Sequence, residues 1–139
     1  MNFHRGVVTP SRPIDFDEDV DFSTFDFEKH KPSLQGIPFC HAEGEFYLED
    51  DGEVHVDMRV QAKVLLRDAS TLEDFLAEVD YDDCFALLRK FDPDGEGYIF
   101  EENRIELRDV VFCSLHSLLP SCPHKGEDIN PIAEDDPNS

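Results

Sequence analysis

The feature that most constrains the fold is the run from Val54 to Leu66, in which every second residue is apolar. Successive side chains of a β-strand point to opposite faces, whereas a helix repeats its faces every 3.6 residues. The run therefore predicts one long strand with a single face in the core. A domain built around such a strand needs a sheet.

The preceding segment predicts the partner of this strand. Apolar or small residues alternate with polar ones from Ala42 to Leu48, and Asp50-Asp51-Gly52 lies between the two runs. Asp-Gly supplies the positive φ angles of a tight turn, so the two strands are expected to pair as an antiparallel hairpin. A two-stranded ribbon is marginally stable alone, and further strands must complete the sheet. The acidic and apolar alternation from Ile14 to Phe22 is one candidate strand.

Residues 70 to 90 fit two structures, and the sequence leaves both open. Phe75, Ala77, Val79 and Tyr81 alternate as in a strand. Ser70-Thr71-Leu72-Glu73 is also a capping box, and the apolar residues that follow it fit a helical stripe.

A helix is predicted from Ile105 to Leu118, because its apolar residues recur at intervals of three and four. Asn103 is the expected cap, and Pro120 ends the helix. The resulting fold class is α+β: an antiparallel sheet, open or partly closed into a barrel, with a long hairpin and a C-terminal helix packed on it. We expect an extended or flexible segment at 1–13, one domain at 14–125 and an acidic flexible tail at 126–139.

The charge of the chain restricts its partners. Asp and Glu number 33 against 12 Lys and Arg, a formal net charge of −21. Nucleic-acid affinity comes largely from Lys and Arg that displace counterions, so tight binding to bare RNA or DNA is not expected. A basic protein partner is expected instead, because a negative field speeds encounter with positive surfaces. The alternative is that the charge serves solubility alone.

The cysteine pattern and the hydropathy predict a soluble, cytoplasmic protein without a membrane partner. Cys40, Cys84, Cys113 and Cys122 are scattered, as in proteins of a reducing compartment. The first residues lead into no signal-peptide core, and apolar runs stay well short of ~18 residues.

The segment after Phe91 resembles the calcium loop of an EF-hand. The ligand positions 1, 3, 5 and 7 of such a loop are filled by Asp92, Asp94, Glu96 and Tyr98. Position 12 is Asn103, where calcium needs a bidentate carboxylate, and position 9 is Phe100. A turn that leads into a strand at Gly97-Tyr98-Ile99-Phe100 is the favoured interpretation, and a calcium-binding module is the alternative function.

A zinc site is the second metal hypothesis. Its four ligands are Cys113, His116, Cys122 and His124. The first two lie three residues apart on one helix face, but the second pair is separated by a single residue, tighter than usual zinc knuckles. We favour a partly buried Cys113 and solvent-facing histidines, and we expect neither a metal nor another cofactor.

Catalytic motifs are lacking in the sequence. It contains no Gly-rich phosphate loop, nucleophile elbow or His-Glu-x-x-His run. Cys40 and His41 are adjacent, but neighbours on a strand point to opposite faces. We therefore expect a non-enzymatic protein.

Several short motifs, in order, resemble the YceD-like large ribosomal RNA subunit accumulation proteins. The strand motifs are Ile14-Asp15-Phe16-Asp17 and Ala42-Glu43-Gly44, followed by the alternating strand through Val64. The first C-terminal motif, Ile105-Glu106-Leu107, is similar to the Ile-Asp-Leu start of the family's helix. The second, Leu119-Pro120 with Pro123 and His124, is similar to the family's Leu-Pro-x-x-Pro-x-His ending. The third is Asn130-Pro131-Ile132.

The resemblance implies a small bacterial or plastid protein with an accessory role in large-subunit ribosome biogenesis. Given the charge, such a role is expected to run through a basic ribosomal protein or a pre-ribosomal particle rather than naked RNA. The turn at Asp68-Ala69-Ser70-Thr71 departs from the family, many of whose members hold a Cys pair there. A metal role of that pair therefore does not carry over.

Overall fold

One open, five-stranded sheet organises the protein, and the computed structural model describes residues 1–25, 33–90, 97–119 and 125. The strands are β1 (Asn2–His4), β2 (Ile14–Asp19), β3 (Leu34–Leu48), β4 (Val54–Arg67), β5 (Asp74–Leu88), β6 (Gly97–Ile99) and β7 (Arg104–Glu106), and the helix α1 spans Leu107–Leu118. The large sheet has the order β2-β3-β4-β5-β6, and β1 pairs with β7 separately. Pairing is antiparallel throughout except between β5 and β6, which are parallel.

The alternating run forms β4 at the centre of the sheet, as predicted. Every second residue from Val54 to Leu66 is apolar and buried, while Asp57, Arg59, Gln61 and Lys63 are exposed. Burying one face of this strand removes apolar surface from water, which stabilises the folded state by roughly 25 cal/mol per Å² buried. The buried face meets α1, whose residues Leu107, Val110, Val111 and Leu115 belong to the same core. The fold is thus a sheet with a helix on one face, an α+β arrangement.

The predicted hairpin joins β3 and β4. Leu48 pairs with Val54 and Gly44 with Met58, and the turn residue Gly52 has a φ of 81°. The Asp51 carboxylate accepts a hydrogen bond of 2.9 Å from the backbone N–H of Glu53 and so fixes the turn. β3 begins at Leu34, eight residues before the predicted alternation at Ala42, and its register shifts between Leu34 and Phe39 obscure the period in that part.

The ambiguous segment is a strand from Asp74, not a helix. β5 pairs with β4 along its length, from Arg67 opposite Asp74 to Val54 opposite Leu87. The Ser70-Thr71-Leu72-Glu73 sequence caps no helix, because the Asp68 carboxylate instead accepts from the N–H groups of Ser70 and Thr71 at 2.8 and 3.1 Å. Cross-strand pairing with β4 therefore overrides the local helical tendency.

The helix begins two residues later than predicted. Ile105 and Glu106 belong to β7, and Leu107 is the first helical residue. Asn103 is not the cap, and Glu106 at the cap position makes no side-chain capping bond. The backbone N–H of Leu107 donates instead to the carbonyl of Met1 at 3.1 Å, so the start of the chain replaces a local cap. The helix ends at Leu118, and the predicted stop Pro120 lies outside the described residues.

The segment before β2 contributes to the core. Phe3 and Val8 are buried, and Phe3 lies 4.7 Å from the ring centroid of Phe46 in β3. Beyond β2, Phe22 and Phe25 pack on Phe112 of α1, with centroids 6.3 and 4.4 Å from it. These contacts place aromatic residues of the N-terminal third in the core. The acidic tail predicted at 126–139 lies outside the described residues.

The predicted alternative of a partly closed barrel is wrong. β2 and β6 form opposite edges of the sheet, and over the described ranges they do not pair with each other. The edge strand β6 pairs with β5 over only three residues.

Candidate functional site

The solvent-facing side of the sheet carries a dense group of charged side chains. Antiparallel partners share a face, so the register places outward residues of β2, β3, β4 and β5 in three rows. We call these twelve residues the acidic face: Asp15, Glu45, Asp57 and Cys84 in the first row, Asp17, Glu43, Arg59 and Asp82 in the second, and Asp19, His41, Gln61 and Asp80 in the third. Eight of the twelve are carboxylates, and Arg59 is the one guanidinium or ammonium group among them.

Like charges stand directly opposite one another on this face. Asp15 pairs with Glu45, Glu45 with Asp57, and Asp17 with Glu43. Directly opposed like charges destabilise a sheet, by an amount comparable to the roughly 0.2–1 kcal/mol that a favourable cross-strand pair contributes. A sheet selected for stability alone would alternate the signs. The arrangement therefore concentrates negative potential that a positive partner can neutralise.

His41 lies between two carboxylates of β2. Its Nδ1 is 2.7 Å from Asp19 Oδ1 and its Nε2 is 2.6 Å from Asp17 Oδ1. Hydrogen bonding to Asp19 raises the pKa of His41, burial lowers it by less, and Asp17 raises it further. Both ring nitrogens donate only in the imidazolium form, so this geometry favours protonated His41.

Asp17, His41 and Glu43 also have the donor types of a cation site. One ligand atom from each lies within 4.8 Å of the others, the only such group in the described part of the chain. Carboxylate oxygens of Asp17 and Asp19 lie within hydrogen-bonding distance of the two ring nitrogens of His41. Both nitrogens of the histidine are therefore already paired.

Arg59 neutralises one corner of the face. It donates to both carboxylate oxygens of Asp80, from Nε at 2.9 Å and from Nη2 at 2.8 Å. The bond from Arg59 lowers the pKa of Asp80. Because both side chains are about half exposed, the pair adds little stability, and its main effect is to orient the two groups.

The sheet end beyond the acidic face exposes several apolar side chains. Phe39 and Leu76 are 45 % and 59 % exposed, and Leu72 at the β4–β5 turn is 70 % exposed with a φ of 61°. Phe39 also borders a cavity of about 400 Å³, whose other lining residues are Gln61, Ala62, Lys63, Glu78, Val79 and Asp80. The outward surface thus combines negative charge with an apolar end, a composition suited to a partner with both basic and apolar side chains.

Most of the proposed calcium ligands lie outside the described residues. Asp92, Asp94 and Glu96 belong to the undescribed stretch 91–96. Tyr98 is described, and its hydroxyl contacts Ser117 of α1. The chain before the loop is the strand β5 rather than the entering helix of an EF-hand, and the predicted strand after it is present as Gly97–Ile99.

Only two of the four proposed zinc ligands, Cys113 and His116, lie in the described part of the chain. Cys113 is partly buried on α1, with its pKa raised by burial, and the His116 ring lies 5.7 Å from that of Phe112. Cys122 and His124 lie outside the described residues. The other Cys/His neighbours, Cys40 and His41, point to opposite faces. Cys40 is buried, and burial raises its pKa to about 12.

The described residues of the family-like motif lie in the core or at the start of the helix. Ile105, Leu107 and Leu119 are buried in the core, and Glu106 precedes the helix. Pro120, Pro123 and His124 are not among the described residues. The motif therefore places the helix on the sheet rather than forming part of the acidic face.

Comparisons with protein-family models, curated proteins and solved structures found no significant match. Over the described ranges, no helix is long and apolar enough to span a membrane.

The acidic face was not among the sites predicted from the sequence. Its signal was present in the alternating acids of residues 15–19, 43–45 and 57, but their convergence depends on the register. Once the Asp51-Gly52 turn fixes Gly44 opposite Met58, the neighbours Glu43 and Glu45 fall beside Arg59 and Asp57. A long connection, rather than a tight turn, joins β2 to β3, so the sequence does not predict which residues of the two strands pair.

Proposed function

We propose that this protein is a non-enzymatic accessory factor in large-subunit ribosome biogenesis. It acts in the cytoplasm and supports rRNA accumulation through a basic ribosomal protein or a pre-ribosomal particle. The observation that carries the proposal is the acidic face, with eight carboxylates and one arginine in three ordered rows. The resemblance of the Ile105 to His124 motifs to the YceD-like family supplies the biological setting.

The sign of the charge favours a protein partner over RNA. Carboxylates repel phosphates, and nothing in the acidic face displaces the counterions of a nucleic acid. A protein that binds rRNA needs exposed Lys and Arg for the same reason. A factor that holds such a protein before it reaches the rRNA therefore needs a surface of opposite charge.

Repulsion between the opposed carboxylates favours the binding of a basic partner. Repulsion between Glu45 and its neighbours Asp15 and Asp57 is present in the free protein and falls when a cation approaches. Long-range attraction also raises the association rate, and both effects weaken with salt. The complex is thus expected to form quickly and to dissociate at high ionic strength.

Affinity isolation from a bacterial lysate tests this function. The tagged protein is expected to recover ribosomal proteins or pre-ribosomal particles of the large subunit at low salt, and to release them at roughly 0.5 M salt. Recovery of no such protein at low salt contradicts the proposal. Recovery of bare rRNA, resistant to salt and independent of protein, contradicts it as well.

A further inference from the structure

A histidine and two carboxylates converge where β2 and β3 pair. Asp17 lies directly opposite Glu43, and His41 stands two residues before Glu43, on the same face of β3. One ligand atom from each of the three side chains lies within 4.8 Å of the other two. Atoms bound to one metal ion at about 2.1 Å lie roughly 3–4 Å apart, so small side-chain rotations bring the three into one coordination shell.

Asp19 fixes the orientation of the histidine ring. Its Oδ1 lies 2.7 Å from His41 Nδ1, and Nε2 is thereby directed at Asp17, whose Oδ1 is 2.6 Å away. Histidines that bind metals almost always donate their other ring N–H to a carboxylate, a backbone carbonyl or water, which sets the direction of the metal-binding nitrogen. A metal ion at Nε2 therefore takes the place of the proton that this nitrogen shares with Asp17.

The charge around His41 matches a divalent cation. Three carboxylates surround this histidine, so even the imidazolium form leaves an excess of two negative charges. Arg59 lies opposite Glu43 in the register, but its guanidinium donates to both carboxylate oxygens of Asp80. A divalent ion bound beside the histidine cancels the excess and removes the repulsion between the opposed carboxylates of β2 and β3.

The ligand side chains are accessible to a solvated ion, yet their backbone is held in the sheet. The side chain of His41 is 27 % exposed and that of Asp17 is 68 % exposed. All six residues of β2 pair with β3, so the spacing of the two strands is fixed by the sheet. Sites built on paired strands hold their ligands more precisely than sites on loops.

We propose that Asp17, His41 and Glu43 form a binding site for a divalent first-row transition metal ion, with Asp19 as the residue that positions the histidine. Carboxylates alone suit Mg²⁺ and Ca²⁺, whereas an imidazole nitrogen favours transition metals. The histidine is thus the ligand that gives the site its selectivity, and water completes the coordination shell. The inference rests on the geometry of β2 and β3 and is independent of the ribosomal role.

Calorimetric titration of the full, chelator-treated chain with Mn²⁺ alone tests the histidine. Mn²⁺ accepts carboxylates and imidazole, while thiolates select softer ions. In about 0.15 M salt, His41→Gln is expected to weaken Mn²⁺ binding about tenfold or more. His55→Gln is the matched control, because His55 faces one carboxylate, that of Asp51 at 2.9 Å, and it should change the affinity by less than about twofold. Mg²⁺ should bind the wild-type chain about tenfold more weakly than Mn²⁺.

Two charge-matched variants separate ligation from general attraction to the face. Asp17→Asn with Glu43→Gln removes the proposed oxygen ligands, and Asp15→Asn with Glu45→Gln removes the neighbouring opposed pair on the same two strands. Both variants lose two negative charges. The first is expected to weaken Mn²⁺ binding about tenfold or more, and the second by less than about threefold. In the wild-type chain, paramagnetic Mn²⁺ should broaden the ring signals of His41 before those of His55.

Equal losses in the two histidine variants, or in the two carboxylate variants, overturn the inference, because Mn²⁺ would then be held only by the negative charge of the face. Equal affinity of the wild-type chain for Mn²⁺ and Mg²⁺ overturns it for the same reason. The broadening experiment uses the wild-type chain and so does not depend on the folding of any variant. Simultaneous broadening of both histidines contradicts a site at His41.

Discussion

Arg5 is the most deeply buried cation in the described part of the chain, and it bonds to backbone rather than to a carboxylate. Its guanidinium donates to the carbonyls of Leu87 at 2.7 Å and of Phe100, joining the end of β5 to the segment after β6. Burial lowers the pKa of Arg5, and the nearby Glu53 opposes that change. A buried side chain with several fixed donors can bridge backbone carbonyls of two separate segments.

Replacing Arg5 by Met is expected to lower the free energy of unfolding by about 2–4 kcal/mol. The apolar stem is retained, but the carbonyls of Leu87 and Phe100 lose their donor. Urea denaturation followed by circular dichroism measures the change. Arg12→Met is the control, because Arg12 is exposed, and it should stay within about 0.5 kcal/mol of wild type. Equal stability of the two variants would contradict the role assigned to Arg5.

His41 makes part of the stability depend on pH. Its pKa in the folded protein lies above the ordinary 6.5, mainly through the bond to Asp19. A raised folded pKa contributes stability that is fully present below the unfolded pKa and is lost as pH rises through the folded value. The His41→Gln variant should therefore be less stable than wild type at about pH 5.5 and approach it toward about pH 9. Urea midpoints at both pH values measure this, and a difference that grows with pH would refute it.

At the scale of elements, Gly44 determines how closely β3 and β4 approach. A Cβ at this position would lie 2.0 Å from the carbonyl oxygen of Asp57 and 2.7 Å from Cα of Met58. Both contacts are with backbone, which cannot move without disturbing the register. The glycine is thus required where β3 crosses β4, between Glu43 and Glu45 of the acidic face.

Gly44→Ala is expected to lower the free energy of unfolding by at least about 2 kcal/mol, because overpacking against backbone forces the strands apart. Gly36→Ala on the same strand is the matched control. No heavy atom lies within 4 Å of a Cβ built there, so it should change stability by less than about 1 kcal/mol. Thermal or urea unfolding of the two variants decides the point, and similar losses would contradict it.

The elements that the sequence predicted correctly are those whose pattern is long or whose turn chemistry is specific. β4 carries thirteen residues of unbroken period, and Gly52 has the positive φ that the hairpin turn needs. The start of α1 could not be predicted, because its first N–H bonds to Met1, a residue more than one hundred positions away. Residues 70–90 are ambiguous in sequence because both periods fit, and pairing with β4 decides for a strand from Asp74.

At the scale of the molecule, the net charge of −21 correctly indicated an acidic surface but not its location. Acids outnumber bases along most of the chain, so proximity in sequence carries no information about a site. The register brings Asp15, Glu45 and Asp57 into one row and leaves three of the bases, Arg59, Lys63 and Arg67, on β4 beside the acids of β5. The result is a gradient of charge, most negative at β2 and β3, that composition cannot reveal.

We propose that the acidic face, rather than net charge alone, binds the basic partner in large-subunit assembly. Two variants of equal net charge separate these explanations: Asp15→Asn, Asp17→Asn and Glu45→Gln on the face, and Glu49→Gln, Asp50→Asn and Glu101→Gln away from it. The second set consists of exposed residues outside the three rows.

Affinity isolation from a bacterial lysate at low salt, with quantitative mass spectrometry, is the direct measurement. The face variant is expected to recover large-subunit ribosomal proteins about tenfold less than wild type, and the off-face variant within about twofold of it. Equal recovery by the two variants would show that total charge suffices. Recovery of no ribosomal proteins by the wild-type protein would contradict the proposed function.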